Sequence, residues 1–113
     1  MKILVFGGSG FIGSNFINYC FKNDDCIILN VDSLTYASSN NSILKNDNYN
    51  FIKGDICNQH LINKIIIDFK PDCIINFAAE SHVDRSIDNP IKFIETNVLG
   101  VANLLNESLN YYR

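Results

Sequence analysis

The stretch from Lys2 to Gly13 constrains this chain more than any other: an unbroken apolar run, Ile3 to Phe6, leads into Gly7-Gly8-Ser9-Gly10-Phe11-Ile12-Gly13. An apolar run without polar alternation is the pattern of a strand buried on both faces, as parallel sheets require. From Phe11 onward, Phe11, Ile12, Phe16, Ile17 and Cys20 recur at helical spacing, so the glycines stand between a buried strand and an amphipathic helix. The three informative glycines, Gly7, Gly10 and Gly13, follow the spacing G-x-x-G-x-x-G. In such a turn the first glycine permits the tight reversal and the second lets backbone N–H groups approach a pyrophosphate. The third lets helix and strand pack closely. An anion held there also meets the positive end of the helix dipole.

The remaining pattern alternates strands and helices. Asn23-Asp24-Asp25 ends the first helix and Cys26 to Asp32 reads as a second strand. The Ser- and Asn-rich segment Ser33 to Asn48 reads as a loop, with one helical turn expected near Ser42 to Lys45, and Tyr49 to Ile56 as a third strand. Asn58 to Lys70 places Leu61, Ile62, Ile65, Ile66 and Phe69 on one helical face, with Pro71 as the stop; Asp72 to Ala79 is a fourth strand. Pro90 suits the first turn of a last helix, with an expected buried stripe of Ile91, Ile94, Val98, Val101, Leu104 and Leu105. Parallel pairing through right-handed crossovers then gives an α/β fold, a partial Rossmann-type doubly wound sheet with strand order 3-2-1-4 and helices on both faces. With no fifth strand to follow, one apolar edge of this sheet is expected to lie uncovered.

Asp32 ends the second strand nineteen residues after Gly13, close to the roughly 20 expected of a carboxylate that binds an adenosine ribose. A carboxylate there repels a 2′-phosphate, and Ser33 rather than an arginine follows, which favours NAD over NADP. The other reading of Asp32 is a turn residue closing the strand end. Asp55 and Ile56 stand at the end of the third strand, where open α/β sheets bind ligands. An adenine contact and a plain turn after Gly54 both fit them. Phe77, Ala78 and Ala79 end the fourth strand on the same edge, either admitting a flat nucleotide or packing ordinarily.

Composition closes off other classes. Among 113 residues, 47% are hydrophobic and 19% charged, which excludes a disordered chain. The formal net charge of −3 offers no broad positive field for nucleic acid. No apolar run approaches the roughly 18 residues of a membrane span, and Ile3 to Phe6 is too short for a signal peptide, so a cytoplasmic location without membrane contact is expected. Cys20, Cys26, Cys57 and Cys73 lack C-x-x-C spacing and fall in apolar stretches, as structural thiols do, and no metal site is expected.

Several stretches together resemble the N-terminal part of dTDP-glucose 4,6-dehydratases, members of the extended short-chain dehydrogenase/reductase superfamily. They are Gly7 to Asn15, Asp32-Ser33-Leu34-Thr35-Tyr36-Ala37, Gly54-Asp55-Ile56, and above all Ala78-Ala79-Glu80-Ser81-His82-Val83-Asp84-Arg85-Ser86-Ile87. The likeness continues through Phe93 to Gly100 and covers the whole chain. It departs from the family at Ser33, where Lys is usual, at Phe6, where Thr is usual, and at Ser38, where Gly is usual.

The resemblance implies NAD contacts from Phe11 and Ile12 at the phosphates, and from Asp32, Ser33, Leu34 and Thr35 around the adenosine. It adds Asp55 and Ile56 at the adenine, Phe77, Ala78, Ala79, Glu80 and Ser81 towards the ribose and nicotinamide, and Thr96. Ser81 would also touch the sugar nucleotide, dTDP-glucose in the complete enzyme. His82, Asp84 and Arg85 read either as catalytic groups or, preferably, as a hydrogen-bonded loop. The family is homodimeric, the helix from Pro90 to Tyr111 helping to form its contact.

The family chemistry, transient hydride transfer to NAD with loss of water from the sugar, needs a Tyr-x-x-x-Lys pair and an acidic pair. Tyr49 and Lys53 have that spacing, but the pair works on a helix, where such residues are about 6 Å apart, whereas this segment reads as strand and separates them by roughly 13 Å. No catalytic residue is therefore assigned. Residues 1–113 read as the N-terminal part of an NAD-binding domain without its catalytic and substrate part. Three readings stand: this portion of a dehydratase, a truncated dinucleotide-binding remnant, or the N-terminal part of another NAD-dependent sugar-nucleotide epimerase or dehydratase.

Overall fold

The computed structural model of the chain describes residues 1–34, 43–78 and 90–113. Four parallel strands, β1 (Lys2–Phe6), β2 (Ile27–Asp32), β3 (Tyr49–Lys53) and β4 (Cys73–Asn76), form one sheet in the order β3-β2-β1-β4. This is the expected 3-2-1-4 arrangement, with β1 at its centre. Helix α1 (Phe11–Asn23) follows β1 and α2 (Gln59–Phe69) follows β3. The C-terminal helical stretch runs as α3 (Pro90–Ile94), a π-helical segment (Glu95–Gly100) and α4 (Val101–Tyr112).

Side chains alternate across the strands and build a core on each face. Ile3, Val5 and Ile28 meet Ile17 and Cys20 of α1, joined by Cys26. Leu4, Phe6, Leu29 and Val31 meet Ile62, Ile65 and Ile66 of α2, Leu104 of α4 and Ile56. Helix α2 starts where expected: the Asn58 side chain accepts from the Leu61 N–H at 3.2 Å, and Lys70 ends it in the left-handed region at φ 54° before the buried Pro71.

The C-terminal helix is tied into this frame. Tyr112 Oη donates to the Pro71 carbonyl at 2.9 Å, fixing the last turn of α4 to the α2–β4 connection. Between α2 and α4, Glu107 is buried, and its carboxylate accepts from the side-chain amides of Gln59 at 3.0 Å and Asn63 at 2.8 Å. These two bonds hold the Glu107 carboxyl below the usual carboxylate range against the opposing effect of burial. Cys20 and Cys26 are buried and Cys57 and Cys73 half-buried, all four as free thiols. Burial pushes the thiols of Cys20, Cys26 and Cys57 up, away from reactivity.

Several expected details are corrected. β3 stops at Lys53, because Asp55 turns the chain by accepting the Cys57 N–H at 2.9 Å, so Asp55 and Ile56 lie in a turn beyond the strand. β4 stops at Asn76, whose side chain captures the Ala78 N–H at 2.8 Å. Residues 43–45 form no helical turn, and Ser42 lies outside the described residues.

In α1 the stripe begins at Gly13: Phe11 is 83% and Ile12 68% exposed, because the first turn projects past the sheet edge. In the C-terminal stretch Ile91, Ile94, Val98 and Leu105 are exposed while Leu104 and Glu107 are buried. The expected stripe assumed 3.6 residues per turn throughout. The π-helical segment, with its wider i→i+5 turns, rotates Ile91 and Ile94 relative to α4, whereas Leu105 is turned outward as the neighbour of buried Leu104 within α4 itself.

Candidate functional site

The carboxyl ends of β1, β2 and β4 converge on the glycine turn. Gly7 continues the β1–β2 ladder, its N–H donating to the Val31 carbonyl at 2.9 Å, and adopts φ +75°, a conformation that favours glycine. A Cβ on Gly7 would collide with the backbone of Phe77 and Ala78, so this glycine lets β1 and the end of β4 touch. A Cβ on Gly13 would lie 2.6 Å from the Gly7 carbonyl oxygen and 2.7 Å from Gly8 Cα, which is the close approach of helix to turn.

Gly10 is different. Among the described residues a Cβ there would meet Gly7 O alone, at 3.6 Å. Gly10 is also the N-cap of α1, at φ −74° and ψ 177°, and as glycine it brings no side chain to the first-turn N–H groups. A side left open by the described residues, a first turn without a side-chain cap from its N-cap residue, and the helix dipole together fit the pyrophosphate of a dinucleotide.

Asp32 ends β2 beside this turn and is buried. Its Oδ2 accepts from the Ser9 N–H at 2.9 Å and its Oδ1 from the Leu34 N–H at 2.8 Å. The second bond is an Asx turn that holds Leu34 at φ 54°. Asp32 therefore has a structural role in joining the turn to the loop after β2. A carboxylate offers about four acceptor positions, so that role is compatible with binding a ribose hydroxyl.

One residue that the sequence reading passed over organises the turn from beneath. Asn30, in the middle of β2, is 0% exposed. Its Oδ1 accepts from the Gly8 N–H at 2.8 Å, and its Nδ2 donates to Ser9 Oγ at 3.0 Å and to Tyr49 Oη at 3.1 Å. Burial, the largest influence on Tyr49, pushes its phenol above the usual range. The available signal was a lone polar residue inside an otherwise apolar strand, Ile27 to Val31. Tyr49 and Lys53 both lie on strand β3, which removes them as a helical catalytic pair.

The remaining residues separate into groups. Phe11 and Ile12 flank the open side of the turn and are exposed, Ser33 and Leu34 are half-buried beyond β2, and Phe77 packs on Phe16 with ring centroids 5.5 Å apart and planes tilted by 51°. Ala78 packs on the core beside Gly7. Asp55 pairs with Lys92 of α3 at 3.3 Å. Burial pushes its carboxyl up, but the Cys57 N–H and the Lys92 ammonium outweigh it and the net shift is downward. Ile56 is buried against Gly100, where a Cβ would collide with Ile56 Cγ2, so its side chain serves the core. Thr96 lies half-buried in the π-helical segment. Thr35, Ala79, Glu80 and Ser81, with His82, Asp84 and Arg85, lie outside the described residues. Among the described residues no group of three or more His, Cys, Asp and Glu is placed to hold a metal ion, and no helix is long and apolar enough to cross a membrane.

Comparison with known proteins agrees with this geometry. The profile of the family described as GDP-mannose 4,6 dehydratase matches residues 4–112. A dTDP-glucose 4,6-dehydratase of Salmonella typhimurium is 44% identical over 99% of the chain and 32% of the relative. A crystal structure of a dTDP-glucose 4,6-dehydratase from Streptomyces venezuelae, with NAD bound, superposes with a TM-score of 0.90 at 36% identity, covering 99% of the chain and 37% of that protein. A UDP-glucose 4-epimerase from Thermotoga maritima, solved with UDP-glucose, gives a TM-score of 0.88 at 30% identity over 98% of the chain and 35% of the epimerase. The chain thus spans about a third of the length of the curated relatives it matches.

Proposed function

The chain belongs to the GDP-mannose 4,6 dehydratase family, and we propose that it is the NAD-binding portion of a dTDP-glucose 4,6-dehydratase. The observation that carries this reading is the turn at Gly10, open on its outer side and set beside the strand-end carboxylate of Asp32. In this reading residues 1–113 are the first part of a Rossmann domain.

Gly7 and Gly13 shape the turn so that Phe11 and Ile12 present backbone N–H groups to the dinucleotide phosphates past the bare Gly10. Asp32 accepts from the adenosine ribose and disfavours a 2′-phosphate, with Ser33, Leu34 and Thr35 around it. The family resemblance assigns Asp55 and Ile56 to the adenine, the latter through its backbone, and Phe77, Ala78, Ala79, Glu80, Ser81 and Thr96 to the side towards the nicotinamide. Ser81 also meets the sugar nucleotide, dTDP-glucose. Bound NAD supplies a reversible hydride acceptor, which suits a dehydration that passes through an oxidised sugar. The complete enzyme acts as a cytoplasmic homodimer.

Isothermal titration of the protein with NAD and with NADP, beside Asp32→Ala, tests the reading. The expected result is heat with NAD, affinity reduced at least tenfold in Asp32→Ala, and weaker binding of NADP. A protein that is folded by circular dichroism and gives no heat with NAD overturns it.

A further inference from the structure

Asn30 is out of place by ordinary strand rules. It sits at the centre of a parallel sheet, fully buried, on the same face as Ile28 and towards α1. A side-chain amide in that position is unfavourable unless its polar atoms are bonded, and a valine or isoleucine would otherwise serve better. Its bonds go to the two turn residues between Gly7 and Gly10: Oδ1 accepts from the Gly8 N–H, and Nδ2 donates to the Ser9 hydroxyl oxygen. The Gly8 N–H is a donor and fixes the amide orientation, since the oxygen must face it. The third bond, Nδ2 to Tyr49 Oη, braces the amide from β3. A Cβ on Gly8 would lie 2.5 Å from Asn30 Oδ1, so turn and amide are in direct contact.

We propose that Asn30 is a positioning residue that holds Gly8 and Ser9 so that the turn keeps its ligand-accepting shape, a role that rests on the dinucleotide reading above. The physical argument is one of backbone direction. The bonds to the Gly8 N–H and the Ser9 hydroxyl flank the Gly8–Ser9 peptide on both sides and so orient the Ser9 N–H, which reaches Asp32 Oδ2. Asn30 thus sets the relation between the turn that would hold the phosphates and the carboxylate that would hold the ribose. A turn free to move must be ordered when ligand binds, which lowers affinity without removing any ligand contact.

The test compares Asn30→Leu, Ser9→Ala and Ile65→Val, the last trimming the core on the opposite face of the sheet. Each is examined by NAD titration, thermal unfolding and amide hydrogen exchange at Gly8 and Ser9. Asn30→Leu is expected to weaken NAD binding at least tenfold and to speed exchange at Gly8. Ser9→Ala is expected to weaken binding about threefold to tenfold, and Ile65→Val to lower the melting temperature with affinity within twofold. Parent-like affinity in a folded Asn30→Leu overturns the proposal, as does an equal loss in Ile65→Val. If Asn30→Leu does not fold, Ser9→Ala decides, and unchanged affinity there overturns it. Absence of NAD binding in the parent with slow Gly8 exchange refutes the dinucleotide reading, and with it the ligand role of Asn30. Fast Gly8 exchange in the parent refutes the restraint itself.

Discussion

Replacing Gly10 by alanine separates the glycine that shapes the turn from the glycine that leaves room for a ligand. At Gly10 the added Cβ meets Gly7 O at 3.6 Å, ordinary van der Waals contact, and φ −74° suits alanine. Loss of the N-cap preference for glycine costs about 1 kcal/mol. Reduced freedom of the unfolded chain returns about 0.4–1 kcal/mol, so the net change in stability is within about 0.5 kcal/mol. The same methyl occupies the space through which an anion reaches the first-turn N–H groups. Losing one hydrogen bond to a charged group costs about 1.5–3 kcal/mol, equivalent to roughly 10- to 150-fold in affinity. The measurements are urea unfolding and NAD titration of Gly10→Ala beside Gly13→Ala. Gly10→Ala should unfold like the parent and bind NAD at least tenfold more weakly. Parent-like affinity with parent-like stability would falsify the assignment of that open side to the ligand.

Other predictions follow from the packing. Gly7→Ala, which puts a side chain at φ +75° and against the Phe77 and Ala78 backbone, should lose about 2–5 kcal/mol in urea unfolding; a loss under 1 kcal/mol contradicts the close approach. Gly100→Ala should cost about 1–2 kcal/mol, because overpacking against Ile56 exceeds the gain in helix propensity, and a stabilised variant refutes that contact. Glu107→Gln keeps one acceptor for the Gln59 and Asn63 amides and turns an NH₂ towards the other, so it should cost about 1.5–3 kcal/mol at neutral pH. Because the folded Glu107 carboxyl is held below its unfolded value, its contribution is present above the unfolded value and lost as pH falls through the folded one. The difference between Glu107→Gln and parent should therefore shrink in acid, and a pH-independent difference counts against the pairing. Lys92→Ala should raise the Asp55 titration midpoint followed by NMR while costing under about 1 kcal/mol, since both side chains are more than a third exposed; an unmoved midpoint removes the ion pair.

The parts of the fold that could be read from the chain were those written locally. The glycine spacing, the apolar run before it, the amphipathic face of α2 and the Pro71 stop each depend on residues a few positions apart, and each element appears where expected. Parallel order followed from the alternation of strands and helices. The place of Asp32 at the end of β2 was legible because its spacing from Gly13 reflects the length of one β-α-β unit.

What stayed hidden depends on partners distant in sequence. Asn30 meets Gly8 across 22 residues, Asp55 meets Lys92 across 37 and Glu107 meets Gln59 across 48, and no local pattern marks those pairs. The stripe of the last helix failed because periodicity presumes a uniform turn, and the π-helical segment breaks that presumption. Gly100 in mid-helix was the one visible sign, and its meaning depended on Ile56, which it contacts from 44 positions away.

The two cores also differ in how far along the chain their members are drawn. The buried hydrophobic residues on the α1 face, Ile3, Val5, Ile17, Cys20, Cys26 and Ile28, all come from the first 28 positions. The other face needs Leu4 and Phe6 to meet Ile62, Ile65, Ile66 and finally Leu104. During synthesis β1, α1 and β2 can therefore assemble while the opposite side of β1 stays bare until α2 and α4 emerge. Closing that second side joins residues up to a hundred positions apart, so it carries the larger loop-closure cost of the two cores.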